Sequence, residues 1–350
     1  ALLSDCIDTG YVSSGGKYVE QFEQEIAYLC DRKFGIAVSS GTAALELAMK
    51  VIGVKSNEEV IMPSFTFVAT ANAAHHLGAF PHFIDINETT LGMDPTTLQQ
   101  HLRLISERRN DGTYNLNTGR RIACIVPMHT FGHPVDFQNL RAVANEFDLP
   151  IIEDAAESLG SQYKGMPSGS FGEVGAFSFN GNKIVTAGAG GAITTKNTVL
   201  GDRAKFLTTT AKESHKYEFI HNEIGYNFRM PNVNAALGCA QLEQLPSFLE
   251  NKRNLAKEYE IFFKEKGIKF RTETQGTKAN YWLMCIELES KKEKELFLKK
   301  SRESNVTMRP IWELMNTLPF YAHCQIDSQK NAKFLKSRIL KDEGLRSYHR

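Results

Sequence analysis

Residues 175–192 read GAFSFNGNKIVTAGAGGA, and the rest of the chain can be ordered around them. One lysine, Lys183, stands between two apolar, strand-like runs and just ahead of a glycine cluster. Taking an ammonium out of water at the end of a buried strand is costly. Where a fold does so, burial lowers the pKa and leaves a nucleophilic amine, the property a Schiff-base lysine needs. An isolated lysine in such a setting reads as a surface-turn residue. Lys183 is not isolated, because two other stretches supply a phosphate cradle and a carboxylate.

Working toward the N-terminus, PIIEDAAES (150–158) reads as a strand ending in acidic residues, and IACIVPMH (122–129) as another apolar strand. HFIDI (82–86), Val60–Met62 and Ile36–Val38 are further short strands, each followed by a helical pattern. Short apolar strands alternating with helices predict α/β architecture, a mostly parallel sheet covered by helices. In such sheets ligands sit beyond the carboxyl ends of the strands. Ser39–Thr42, Phe67, His129 and Asp154 all fall at such ends and are expected to converge. Residues 1–16 read as a loop, with a helix after them from Lys17 to Cys30. The polar stretch 107–120 reads as a loop or β-turn excursion, 201–231 as loop-rich, and 232–246 as a helix. A division near Pro246 separates a large domain (1–246), its N-terminal loop 1–16 at the active site, from a small α+β domain (247–350). That small domain holds strands at 281–289 and 306–312 and a charged helix at 291–302.

Bulk properties narrow the class. With 42% hydrophobic and 23% charged residues the chain is neither disordered nor a membrane type, and a net charge of +1 gives no footprint for nucleic acid. No apolar run approaches the length of a spanning helix. The start, ALLSDCIDTG, lacks a signal-peptide pattern and an initiator Met, which suggests a trimmed N-terminus. Six scattered cysteines without CxxC read as reduced thiols of a cytoplasmic protein.

Pyridoxal phosphate requires four things of a protein, and four groups here supply them. Lys183 is the amine for the aldehyde. Asp154 is the anion that keeps the pyridine nitrogen protonated. Gly41, Thr42 and Ser178 offer N–H and hydroxyl donors to the phosphate, the first two at the start of a helix whose dipole favours an anion. Phe67, in preference to Phe65, is the flat partner for the ring. A metal site built on Glu153, Asp154, Glu157, His129 and His133 is disfavoured, because Gly132 and Pro134 keep the two histidines off one helix face and HExxH is absent. A dinucleotide site is disfavoured too, since no GxGxxG follows the first strand.

SGTAALELA (40–48), PSFTFVATANA (63–73), EDAAESLG (153–160), SFNGNKIVTAGAGG (178–191) and GYNFRM (225–230), in this order, resemble the DegT/StrS family of nucleotide-sugar aminotransferases over about residues 8–312. The resemblance implies fold type I architecture, a seven-stranded, mostly parallel sheet with a smaller C-terminal domain, and a homodimer with the active site at the subunit interface. It implies roles residue by residue: Lys183 as the Schiff-base lysine, Asp154 as partner of the pyridine nitrogen, Phe67 as the stacking ring, and Gly41, Thr42 and Ser178 as phosphate contacts. Asn227 would reach the phosphate from the other subunit, and Glu157 falls where Gln or His often stands near the ring hydroxyl. Ala189 replaces the Glu of the common GEGG form, and the ending KDEGLRSYHR departs from the family's apolar, proline-containing one. The loops DTGYVSSGGKYVEQFE and MHTFGHPVD resemble the branch that aminates UDP-4-keto-6-deoxy-N-acetylglucosamine for surface-glycan or nonulosonic acid synthesis. L-Glutamate would be the amino donor, leaving as 2-oxoglutarate; GDP- and dTDP-linked keto sugars are alternatives. Arg229, and after it Arg309, are candidates for an anionic group on the substrate. A sugar dehydratase of the same fold would carry histidine in place of Lys183, and a non-catalytic binding protein would have no need of the whole set.

Overall fold

The computed structural model describes residues 1–342. In chain order the elements are α1 (Leu2–Asp8), α2 (Lys17–Leu29), β1 (Phe34–Val38), α3 (Gly41–Ile52), β2 (Glu59–Pro63), α4 (Val68–His76), β3 (Phe80–Ile84), α5 (Pro95–Ile105), β4 (Ser106–Arg109), β5 (Gly112–Asn115) and β6 (Arg121–Ile125). There follow α6 (Phe137–Glu146), β7 (Ile152–Asp154), β8 (Gln162–Tyr163), β9 (Met166–Pro167), β10 (Val174–Ser178), β11 (Gly191–Thr195), α7 (Thr198–Thr208), α8 (Asn232–Leu242) and α9 (Leu245–Glu265). The last are β12 (Lys269–Phe270), β13 (Thr277–Lys278), β14 (Cys285–Glu287), α10 (Lys291–Glu303), β15 (Met308–Pro310), β16 (Gln325–Ile326), α11 (Lys330–Lys336) and β17 (Ile339–Asp342).

Helix starts are written locally. The Ser40 hydroxyl accepts the Ala43 N–H, Asp94 accepts from Thr96 and Thr97 with Pro95 in the first turn, and Asp136 and Ser290 cap their helices in the same way. Gly53, at φ 99°, takes the left-handed turn that ends α3.

The central sheet runs β1-β11-β10-β7-β6-β2-β3, with β7 and β6 joined by parallel bridges at Ile125–Ile151 and Met128–Asp154. Only β11 is antiparallel to its neighbours among these seven strands, the expected mostly parallel order. Alternate side chains enter different cores. Ile36, Val38 and Ala176 pack with α3, α4 and α7, whereas Ala37 and Phe177 pack with α2 and α8 on the other face. Burial on both faces is why these strands read as continuous apolar runs. A second, antiparallel sheet has the order β12-β14-β17-β15.

Several expectations change. Residues 2–8 are helical rather than loop; Cys6 is buried there, and α1 lies on α8 with the Asn232 amide donating to Tyr11 O at 2.7 Å. The helix α7 continues to Thr208 through a region read as loop-rich, because Gly201 lets it lie against the Phe34 ring, where a Cβ would sit 2.6 Å from Cγ. The strand at 150–158 is cut to Ile152–Asp154, and α8 ends at Leu242 rather than at Pro246, which lies in the first turn of α9. The 107–120 excursion is the hairpin β4–β5. The ending 343–350 lies outside the described residues.

One buried carboxylate locks the sheet next to the site. Glu153, fully buried on β7, accepts the N–H groups of Gly169, Phe171 and Gly172 at 2.8, 2.6 and 2.7 Å and pairs with His129 Nε2 at 3.0 Å. Burial alone would raise its pKa; His129 and the N–H groups of Gly172 and Gly169 reverse that and hold it below the usual glutamate range. Replacement by Ala strands four buried donors, so Glu153→Ala should cost about 3–5 kcal/mol and lower the midpoint of thermal unfolding by roughly 5–10 °C. Because the folded pKa is depressed, this contribution is present above the ordinary glutamate pKa and is lost as pH falls through the folded value. Melting curves of wild type and variant should therefore converge in acid.

Candidate active site

Asp154 is the last residue of β7 and Ser178 the last of β10; the two strands pair in parallel, with Ala176 beside Asp154. The chain beyond β10 loops out and back, closed by Phe179 N–H to Gly190 O at 2.9 Å and Ala187 N–H to Phe179 O at 3.0 Å. Lys183 sits in this loop, which the Phe179 ring anchors edge-on against Phe22. A cavity of about 630 Å³ opens between the loop, the start of α3 and the second sheet. Lys183, Asp154, Glu157, Ser178, Gly41, Thr42, Phe67 and Arg309 all line it.

The start of α3 forms the cradle. A helix start leaves its first N–H groups without intrahelical partners, and the Ser40 hydroxyl is already engaged by Ala43. A Cβ on Gly41 would lie 2.6 Å from Ser178 Cβ, so only glycine brings the helix end this close to the serine. The Phe67 side of the cavity is an open aromatic wall: Phe67 is 48% exposed whereas Phe65 is 1% exposed, packed between Phe131 and Trp312.

The charges are buried together. The Lys183 amine is 3.7 Å from Glu157 Oε1 and 3.9 Å from the Trp282 ring centroid. Burial lowers the Lys183 pKa, against the pull of Glu157 and Asp154. Burial likewise raises Glu157, opposed by the Lys183 charge and by the Phe131 N–H that it accepts at 2.8 Å. Asp154 is also raised by burial, and the Thr70 hydroxyl at 2.6 Å and the Ala156 N–H at 3.2 Å pull it back. An amine biased toward its neutral form, a buried carboxylate, an anion cradle and an aromatic wall together fit pyridoxal phosphate.

Not every expected residue joins them. His129 is fully buried but points away from the cavity: its Nδ1 accepts the Val135 N–H and its Nε2 meets Glu153. The expected convergence of His129 with Asp154 fails because a strand turns successive side chains to opposite faces. His133 packs edge-on against Tyr281, and burial brings its pKa down to about 4. Among the described residues no three His, Cys, Asp or Glu side chains form a metal set. Asn227 and Arg229 bond each other at 3.1 Å outside this cavity, and no residue of 1–16 lines it. Thr70, Trp282, Trp312 and Lys341 were missed. Thr70 lies one helical turn after Phe67 in PSFTFVATANA, a spacing that could have flagged it.

The sequence profile of the DegT/DnrJ/EryC1/StrS aminotransferase family matches residues 1–341. The chain belongs to this family. It is 32% identical over 344 residues to the GDP-perosamine synthase of Escherichia coli O157:H7, covering 98% of this chain and 87% of that protein. It is 34% identical over 328 residues to the putative pyridoxal phosphate-dependent aminotransferase EpsN of Bacillus subtilis, covering 92% and 82%. A DegT DnrJ EryC1 StrS aminotransferase from Brucella abortus superposes with a TM-score of 0.88 at 25% identity, covering 98% of this chain and 89% of that one. This aminotransferase therefore has the fold type I architecture and uses pyridoxal phosphate. Among its described residues no helix is long and apolar enough to cross a membrane.

The Thr70 contact can be weighed. A hydrogen bond to a charged group is worth about 1.5–3 kcal/mol, or roughly 10–100-fold in an equilibrium. Thr70→Val should weaken binding of pyridoxal phosphate to the apoprotein by at least about tenfold in an absorbance titration, with the far-ultraviolet circular dichroism unchanged.

Proposed function

We propose that this enzyme moves the amino group of L-glutamate onto the keto carbon, C4, of a GDP-linked deoxy sugar. The observation that carries the reaction is the burial of the Lys183 amine between Glu157 and Trp282, beside Asp154, in a cavity whose other wall is a helix-start anion cradle. The likeness to GDP-perosamine synthase favours a GDP-linked sugar over the UDP-linked sugar suggested by the loop sequences. Surface-glycan synthesis in the cytoplasm is the corresponding setting, consistent with six free, buried cysteines.

Pyridoxal phosphate, when bound, supplies an electron sink for the carbon that loses or gains a proton. The residues divide the remaining work. Lys183 attaches the cofactor and, once released, accepts and returns the proton as base and acid. Burial lowers its pKa from the ordinary lysine range, which favours both roles. Asp154, held by Thr70, keeps the ring nitrogen protonated. Gly41, Thr42 and Ser178 would hold the phosphate, Phe67 would cover the ring, and Glu157 would serve the ring hydroxyl. Arg309, on the cavity wall, receives an anionic group of the substrate.

Asn227 and Arg229 lie outside their own cavity and follow a segment that exposes Tyr217, Phe219 and Ile224. A homodimer in which that segment is covered and Asn227 and Arg229 complete the partner's site accounts for both features.

Three measurements test this reading. With L-glutamate and a panel of GDP-, UDP- and dTDP-linked 4-keto-6-deoxy sugars, kcat/KM should favour a GDP sugar at least tenfold; the same margin for a UDP sugar reverses the nucleotide assignment. Lys183→Ala should lose about a thousandfold or more in kcat, the range set by the loss of positioned proton transfer and covalent attachment. Mixing Lys183→Ala with Asn227→Ala subunits should restore about a quarter of wild-type activity if sites are shared; no restoration, or an active monomer by light scattering, rejects the shared site.

A further inference from the structure

Trp282 belongs to YWLMCIELE, which reads from the sequence as a plain buried strand. Its place in the structure is more specific. Tyr281, at φ 50°, turns the chain just before β14, and the Trp282 indole passes into the cavity wall at 5% exposure. Two bonds fix it. Its ring N–H donates to Asn182 O at 2.7 Å, the carbonyl directly before Lys183. Its backbone N–H donates to Asn280 Oδ1 at 2.9 Å, while the Asn280 amide donates to Glu157 O at 2.9 Å and Leu159 O at 3.0 Å. The indole is thus tied both to the segment that carries the amine and to the segment that carries the facing carboxylate. Gly132 leaves room for this bridge, since a Cβ there would collide with Asn280 Oδ1.

We propose that Trp282 is a positioning residue for Lys183: the face of its indole is the seat that holds the free ε-amine as an ammonium, opposite Glu157. The proposal extends the reading of Lys183 as the cofactor lysine. Attachment of a cofactor needs no aromatic ring at this position, and a branched aliphatic residue would fill the space. A ring face 3.9 Å from a cation in a desolvated site adds an electrostatic attraction that an aliphatic residue lacks. The charges facing the amine are Asp154 at the end of β7 and Glu157 from the turn after it, with Arg309 and Lys341 from β15 and β17 on the same cavity. Glu157, Asp154 and the indole favour the ammonium; burial opposes it. In a two-stage transfer the amine would be freed in the first half and rebound only at the end of the second, and a fixed seat would hold it in one place with one proton affinity in between. The second sheet thereby acts on the chemistry of the first.

The test uses the apoprotein and reads the amine rather than turnover. Only the neutral amine captures an aldehyde, so the pH dependence of the rate of pyridoxal phosphate capture, followed by stopped-flow absorbance, reports the Lys183 midpoint. Trp282→Leu should move that midpoint down by about one unit, tenfold in the ammonium-to-amine ratio, and Glu157→Gln should also move it down. A Trp282→Leu midpoint that is unchanged or higher overturns the proposal. Fluorinated tryptophans give a version that keeps volume and the N–H anchor. The chain has two tryptophans, so they are incorporated in a Trp312→Phe background. The midpoint should fall stepwise with each added fluorine; independence of fluorine number overturns the seat even if Trp282→Leu does not fold. Borohydride trapping and peptide mapping separate the two layers. Label on a lysine other than Lys183 rejects the cofactor reading, whereas label on Lys183 with fluorine-independent midpoints rejects only the role of Trp282.

Discussion

The arrangement depends on keeping one cation and two carboxylates dry at the same sheet edge. An unpaired buried charge costs several kcal/mol, and a pair repays that cost only when its remaining lone pairs and protons are satisfied. Each partner here is so provided: Lys183 faces Glu157, Glu157 takes the Phe131 N–H, and Asp154 takes the Thr70 hydroxyl and the Ala156 N–H. The three groups remain in tension with burial, and their pKa values move toward one another. That tension draws the Lys183 amine toward its neutral, nucleophilic form.

Much of the surrounding fold serves to hold that edge. The lock on Glu153 fixes the 169–172 loop to β7 and so fixes the residue next to it, Asp154. The close approach of Gly41 to Ser178 sets the α3 start over the end of β10. Phe179 wedges the lysine loop against Phe22 of α2. These are contacts of packing, yet each positions a group that the proposed chemistry uses. The second sheet and the segments flanking it contribute the opposite wall, Arg309 and Lys341 from β15 and β17 and Trp282 and Trp312 from beside β14 and β15.

His129 illustrates how location and use come apart. It stands at the end of an apolar strand, two residues before Phe131, in a stretch that looks chemically rich. Its ring is nonetheless spent on Glu153 and on the Val135 N–H, a structural histidine on the far side of the same strand end. Asn227 and Arg229 make the complementary point: they sit in a motif typical of the family, but within one chain they touch each other and not the cavity.

The sequence by itself determined the alternation of strands and helices, the caps that start α3, α5 and α6, and the strand ends that carry Asp154 and Ser178, with Lys183 just beyond the latter. Those features follow from short-range physics: apolar periodicity, capping hydroxyls and carboxylates, and the bond-starved N–H groups of a helix start. Tertiary structure alone decided that residues 2–8 are helical against α8, that α7 continues past Gly201, that His129 turns from the site, and that Thr70 and Trp282 turn into it. Each of these rests on a partner far away in the chain: Asn232 for the first helix, Phe34 for Gly201, Glu153 for His129, Asp154 for Thr70, Asn182 for Trp282. A local pattern states which side of an element is apolar; it does not state which distant group will meet the one polar atom left on that side.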